Sequence, residues 1–177
     1  MDYILGLPST KHGNECVFMV IDRFFKMVIL IECKKSISAE ATVNLFFEHV
    51  WVHFGLPQTI ILDREISFLS TFWSSIWSLM DTKITKSTSF HPQTDGQIEV
   101  VNQMIVHILR MYNSKHPYTW DEILPYVQHS YNKSFHNSIG HNPFQLCLGF
   151  QPLAQIEVVF PITYIHEKLS HTQIEVD

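Results

Sequence analysis

Two short apolar runs near the start of the chain restrict its possible folds more than any other feature. Residues 16–22 read CVFMVID and residues 27–33 read MVILIEC, with only RFFK between them. Both are rich in Val and Ile, and together they read as two paired strands joined by a short turn. A helix follows. Ser38 stands ahead of AEATVNLFFEHVWVHF, Glu40 falls in the first turn and Gly55 sits just past the end, which marks a capped helix of about four turns. Leu56-Pro57 stops it, and TIIL at 59–62 makes another buried strand that ends at Asp63.

Further along, TFWSSIWSLM at 71–80 spaces Phe72, Trp73 and Trp77 as a helix would, and 83–87 is a candidate strand. The stretch SFHPQTDGQIEVVN at 89–102 is a polar run with turn residues at Pro92 and Asp95-Gly96. It feeds a long amphipathic helix expected from Gln97 to about Lys115. Ile98, Val101, Ile105, Ile108, Leu109 and Tyr112 share its apolar face. Glu99, Asn102, Gln103, Val106 and Arg110 fall mostly on the other. Thr119-Trp120-Asp121-Glu122 reads as a capping box opening a helix to about Ser134, and Asn142-Pro143 opens a last short helix ending at Gly149.

Strands first, then strands alternating with helices, imply an α/β fold with a central mixed sheet covered by helices. A chain of 177 residues suits one domain with a real core, and the polar tail after Phe160 reads as a poorly defined extension.

Composition excludes several classes. With 46% hydrophobic and 16% charged residues the chain is globular rather than disordered. It has no apolar run of the roughly 18–20 residues that a membrane span needs, and no basic and apolar signal segment. A soluble intracellular protein, nuclear or cytoplasmic, is expected. Cys16, Cys33 and Cys147 are far apart in sequence and form no C-x-x-C, so they read as buried small hydrophobes rather than a disulfide framework or zinc site. His49 and His53 stand four apart but lack the H-E-x-x-H pattern, which favours a surface or core-flanking role. The net charge of −5 lacks the basic field of a strong nonspecific nucleic-acid binder.

Three acidic residues occupy unusual places: Asp2 at the start, Asp63 closing a strand, and Glu99 in the first turns of the long helix. Between Asp63 and Glu99 lie 35 residues, enough to return the chain to the strand end. Sites in α/β proteins sit at the carboxyl edge of the sheet. Three carboxylates brought together there repel one another unless a cation neutralises them. Two Mg²⁺ ions about 3.5–4 Å apart can clamp an in-line phosphoryl displacement, so such a cluster suits the cutting or joining of phosphodiesters. Each acid also has a simpler reading: Asp63 as a turn residue, Glu99 as a partner of the helix dipole, Asp2 as a solvated, frayed end.

The segments MDYILGLPST, VIDRFFKM, FGLPQTIILDREISFLSTFWSSIW, STSFHPQTDGQIEVVNQ, TWDEILPYVQHSYNKS and NPFQLCLGFQP resemble, in order and spacing, the catalytic core of integrases of gypsy-type LTR retrotransposons, closest in flavour to plant elements. The resemblance covers residues 1–160 as an integrase catalytic core and leaves 161–177 as the extension. It implies a ribonuclease H-like fold with a central mixed five-stranded sheet flanked by helices. Because the chain begins one residue before Asp2, the first strand is expected to be truncated.

The resemblance also implies DNA integration, a form of DNA recombination: 3′-end processing of the element's DNA followed by strand transfer into target DNA. Asp2, Asp63 and Glu99 would then be the catalytic triad holding two Mg²⁺ or Mn²⁺ ions, with Asp63 on one ion, Glu99 on the other and Asp2 bridging. His91, Gln93 and Asn102 would orient DNA phosphate or water near the metals, although loop structure and helix surface are equally open for them. The expected partners are DNA and further copies of the chain, with no membrane. In the family much of the DNA grip comes from flanking domains and oligomerisation, which accommodates the acidic net charge. Leu62 and Glu65 stand where members commonly carry Ser and Asp, and Gln103 where a basic residue is usual. The rival reading is a catalytically inactive remnant that retains nucleic-acid binding or dimerisation.

Overall fold

The computed structural model describes residues 1–62, 77, 80, 82–86, 92–113 and 118–153. Their elements run β1 (Asp2–Ile4), β2 (Cys16–Ile21), β3 (Val28–Cys33), α1 (Ala39–Phe46), a π-helical turn (Phe47–Trp51), α2 (Val52–Phe54), β4 (Thr59–Leu62), β5 (Lys83–Lys86), α3 (Pro92–Asn113), α4 (Trp120–Lys133) and α5 (Pro143–Leu148).

The paired apolar runs form the β2–β3 hairpin. Asp22 makes its turn, because Oδ1 accepts from the backbone N–H groups of Phe24 (2.8 Å) and Phe25 (2.7 Å). An Asp at this position offers the backbone a local partner in place of the ladder. β1 adds antiparallel to β2, with Asp2 opposite Met19 and Ile4 opposite Val17, giving the sheet order β1-β2-β3. β4 and β5 pair in parallel as a separate two-stranded unit. The expected single five-stranded sheet therefore appears as three strands plus two. A hydrogen bond from the Met1 amino nitrogen to the Ile61 carbonyl (2.8 Å) crosses the gap. A strand of three residues offers very few outward donor and acceptor positions on each edge, so a full second ladder is not registered.

Alternation along β2 buries both faces of the antiparallel sheet. Cys16 and Phe18 join Tyr3, Ile31, Val43, Phe46, Ile60 and Trp77 on the α1 side. Val17 and Met19 join Ile4, Leu30, Ile105, Leu109, Trp120 and Leu124 on the α3–α4 side. Ser38 caps α1 by accepting from Ala41 N–H (3.1 Å), and Gly55, at φ 74°, ends α2 in the left-handed region that a side chain would strain. Phe46 stacks edge-on against the fully buried Trp77 at 4.9 Å between ring centroids, and Phe47 meets the same ring at 6.3 Å. The remaining readings within 71–76 lie outside the described residues.

β3 is the edge strand of the antiparallel sheet, and α4 covers that edge with side-chain amides. Asn132 accepts from Val28 N–H (2.9 Å) and donates to Val28 C=O (2.8 Å), while Gln128 accepts from Leu30 N–H (2.7 Å). These two residues stand where a further strand would pair.

Three expectations need correction. α3 begins at Pro92, not Gln97, so Gln93, Thr94, Asp95 and Gly96 are helical rather than a loop. Proline has no N–H to leave unpaired in a first turn, and an acid there suits the helix dipole, so the apparent turn signals work as a helix start. Thr119 makes no side-chain cap; Glu122 N–H bonds instead to the Thr119 carbonyl (3.2 Å) and to Asp121 Oδ1 (3.1 Å). Asp121 lies nearer and supplies the acceptor. On α3, Ile108 is exposed, whereas Asn102, assigned to the outer face, is partly buried.

Candidate active site

Asp2 is the second residue of the chain yet only 8% exposed, because β1 is covered on both faces. Tyr3, its neighbour, belongs to the α1-side core, so alternation turns Asp2 toward α3. The carboxylate is held at both oxygens. Oδ1 accepts from Tyr3 N–H (2.8 Å), and Oδ2 accepts from the side-chain amide of Asn102 on α3. The residue therefore does not fray at all. The other amide atom, Asn102 Oδ1, is buried with no hydrogen-bond partner among the described residues.

β4 enters this neighbourhood from the other side. The Met1–Ile61 hydrogen bond lays the end of β4 beside the start of β1, and β4 stops at Leu62. Asp63 and His91 lie outside the described residues. Glu99 lies within α3, three positions before Asn102, and Gln93 is the second residue of the same helix. Among the described residues no group of three His, Cys, Asp or Glu side chains is assembled for a metal ion.

No family model matches the sequence. Among curated proteins, the Tf2-3 and Tf2-4 transposon polyproteins of Schizosaccharomyces pombe (strain 972) are each 39% identical over 152 residues, covering 86% of this chain. The chain spans 11% of the length of those relatives. Among solved structures, the HTLV-2 integrase catalytic core domain in complex with magnesium, in a trimeric form, superposes with a TM-score of 0.60 at 19% identity, covering 80% of this chain and 97% of that one. The BIV integrase catalytic core gives 0.61 at 14% identity, covering 83% and 93%. The simian T-cell lymphotropic virus intasome in complex with the PP2A regulatory subunit B56 gamma gives 0.63 at 21% identity, covering 83% and 54%. The chain is thus homologous to one segment of the Tf2 retrotransposon polyproteins and shares the fold of retroviral integrase catalytic cores.

Sequence reasoning missed a second buried acid. Asp121, at the start of α4, accepts at Oδ2 from Thr10 Oγ1 (2.7 Å), from Asn14 Nδ2 (3.0 Å) and from His12 Nδ1 (2.9 Å). Since a carboxylate only accepts, His12 donates from Nδ1. Burial pushes the Asp121 carboxyl up, but the hydrogen bonds from His12, Thr10 and Asn14 outweigh it and hold the group below its ordinary value. Trp120 Nε1 donates to the Pro8 carbonyl (2.7 Å) in the same region. Together these bonds tie the loop that follows β1 to α4. The sequence signal was an acid flanked by a Trp, read only as a cap.

A partly open cleft of about 770 Å³ lies between the β2–β3 turn and the start of β4, lined among others by Phe24, Phe25, Phe54 and Ile60. Asp22 is the one acidic residue of its lining among the described residues, and its Oδ1 is occupied by the turn. Its described lining is largely apolar, with Arg23, Gln58 and Thr59 as further polar residues. His49 and His53 are exposed, as their pattern suggested. No helix among the described residues is long and apolar enough to cross a membrane.

Proposed function

We propose that the chain is the catalytic core of a gypsy-type retrotransposon integrase that performs 3′-end processing and strand transfer of element DNA at an Asp2, Asp63, Glu99 site. The observation that carries this reading is the Asn102–Asp2 hydrogen bond. It spans 100 residues of sequence and brings α3, the helix of Glu99, onto the strand of Asp2. Residues three apart share a helix face, which supports grouping Glu99 with Asn102 and Asp2 in this reading. The Met1–Ile61 bond supports the third member, because Asp63 directly follows β4 beside β1. It likewise supports one five-stranded sheet in which β4 continues the order from β1.

The residues present fit a divalent cation. Asp2 is a buried carboxylate facing one amide donor and one backbone N–H, and hard oxygen donors are what Mg²⁺ or Mn²⁺ takes. Asn102 Oδ1, a buried acceptor without a donor, suits a coordinated water. In this reading Asp2, Asp63 and Glu99 hold two ions, with Asp2 shared. The chemistry supplied by such a pair is activation of the attacking hydroxyl or water and neutralisation of charge on the leaving oxygen. Asn102 keeps the Asp2 carboxylate in one orientation, and Gln93 lies at the start of α3, where a DNA phosphate would meet helix N–H groups. His91 directly precedes that helix.

The magnesium-bound integrase core among the structural neighbours supports the cofactor, and its trimeric and dimeric forms support a homo-oligomer acting on DNA. The core would run through residue 160, with 161–177 as an extension, in a soluble nuclear or cytoplasmic protein. The test is a Mg²⁺-dependent strand-transfer assay with element-end DNA, comparing the chain with Asp63→Asn. Joined product from the wild type and none from the variant is expected. Equal silence from both, with Mg²⁺ or with Mn²⁺, sinks the enzymatic reading in favour of an inactive remnant.

A further inference from the structure

Cys16 and Cys33 are 17 residues apart in sequence, but the β2–β3 register sets them directly opposite each other at the open end of the hairpin. Their sulfurs are 2.8 Å apart. Each thiol also points at the other strand's backbone, Cys16 Sγ to the Cys33 carbonyl at 3.3 Å and Cys33 Sγ to the Cys16 carbonyl at 3.4 Å. Both side chains are almost fully buried, beside Tyr3, Phe18, Ile31 and Phe46. A disulfide needs a bond of about 2.05 Å and side chains directed at one another, and a directly opposed pair in adjacent strands meets the second condition without moving either strand.

We propose that Cys16 and Cys33 form a reversible redox staple: on two-electron oxidation by a small disulfide they join across β2 and β3 and lock the hairpin at its mouth. The exchange balances as two thiols and one glutathione disulfide giving one protein disulfide and two glutathione thiols. One cysteine sulfur attacks the glutathione disulfide, its S–S bond breaks and the first glutathione leaves. The second cysteine then attacks the mixed disulfide, the Cys16–Cys33 bond forms and the second glutathione leaves. The two cysteine protons end on the two released thiols.

Contact with Cys16 and burial push the Cys33 thiol up, so the pair exchanges slowly and is measured at equilibrium rather than by rate. The folded register holds the two sulfurs together, and linkage requires the disulfide to be correspondingly more stable in the folded chain than in the unfolded one.

The test uses the full chain carrying Cys147→Ser, which removes the third cysteine. It is equilibrated in graded reduced and oxidised glutathione, with and without denaturing urea, then acid-quenched, alkylated and mapped by peptide mass. The Cys16–Cys33 peptide pair should be half-formed at a [GSH]²/[GSSG] ratio at least about tenfold higher in the native protein than in urea. The urea midpoint should also rise on oxidation and return on reduction. In Cys33→Ser,Cys147→Ser no redox-dependent change of midpoint is expected. Equal ratios with and without urea, mixed glutathione adducts alone, or disulfides only between chains would each overturn the proposal.

Discussion

Replacing Asn132 by Ala removes the amide that closes the outer edge of β3. Asn132 is fully buried on α4, and its amide makes both hydrogen bonds of Val28, which is itself fully buried. No water can enter without opening the contact between α4 and the sheet, so the substitution leaves a buried N–H and a buried C=O unpaired. Each unsatisfied group costs about 1–3 kcal/mol, and the emptied volume adds to that. A loss of about 3–5 kcal/mol is expected, against a total stability of roughly 5–15 kcal/mol for a domain. Asn132→Asp is the sharper partner experiment. It keeps the acceptor for Val28 N–H but turns an oxygen, in place of an N–H, toward the Val28 carbonyl, so its destabilisation should ease as acid protonates the carboxyl. Urea unfolding followed by tryptophan fluorescence measures both, with Trp77 and Trp120 as buried reporters. If Asn132→Ala changes stability by less than about 1 kcal/mol, the amide does not stand in for a missing strand and the edge-closing argument is wrong.

Other substitutions separate the site from its scaffold. Asn102→Ala should slow strand transfer and raise the Mg²⁺ concentration needed for half-maximal rate by about 10–100-fold, the usual effect of removing a residue that orients a ligand. Stability should also fall, by about 1–3 kcal/mol, because the buried Asp2 carboxylate loses its amide donor; an unaltered Mg²⁺ dependence would remove Asn102 from the site. Asp121 is held below its ordinary carboxyl value, so its stabilisation is present above the unfolded value of about 3.9 and is lost as pH falls through the lower folded value. Asp121→Asn should therefore be less stable than the parent at neutral pH, with the gap closing below about pH 4 in urea titrations at stepped pH. Ser38→Ala removes the α1 cap and should cost about 1 kcal/mol, whereas Ser38→Asp should cost almost nothing.

Where partners are near in sequence, the chain legibly specifies them. Ser38 caps α1, Asn142 accepts from Gln145 N–H to start α5, and Gly149 ends it with positive φ, each through atoms three or four residues apart. The β2 and β3 runs likewise pair through a turn that Asp22 closes by itself. The start of α3 was misread because Pro92, Asp95 and Gly96 are turn formers and helix-start residues alike, and the packing of Val101, Ile105 and Leu109 on the sheet settles which. Only tertiary structure could decide the long-range pairings. Asn102 looked like helix surface until β1 was laid under α3, the thiols of Cys16 and Cys33 were merely distant until a register was chosen, and Asp121 was a cap until the loop at 10–14 closed over it. The physical reason is the same in each case: hydrogen bonds and thiol contacts act over a few ångströms, and residues 17 to 111 positions apart come within that range only once both faces of the sheet are buried.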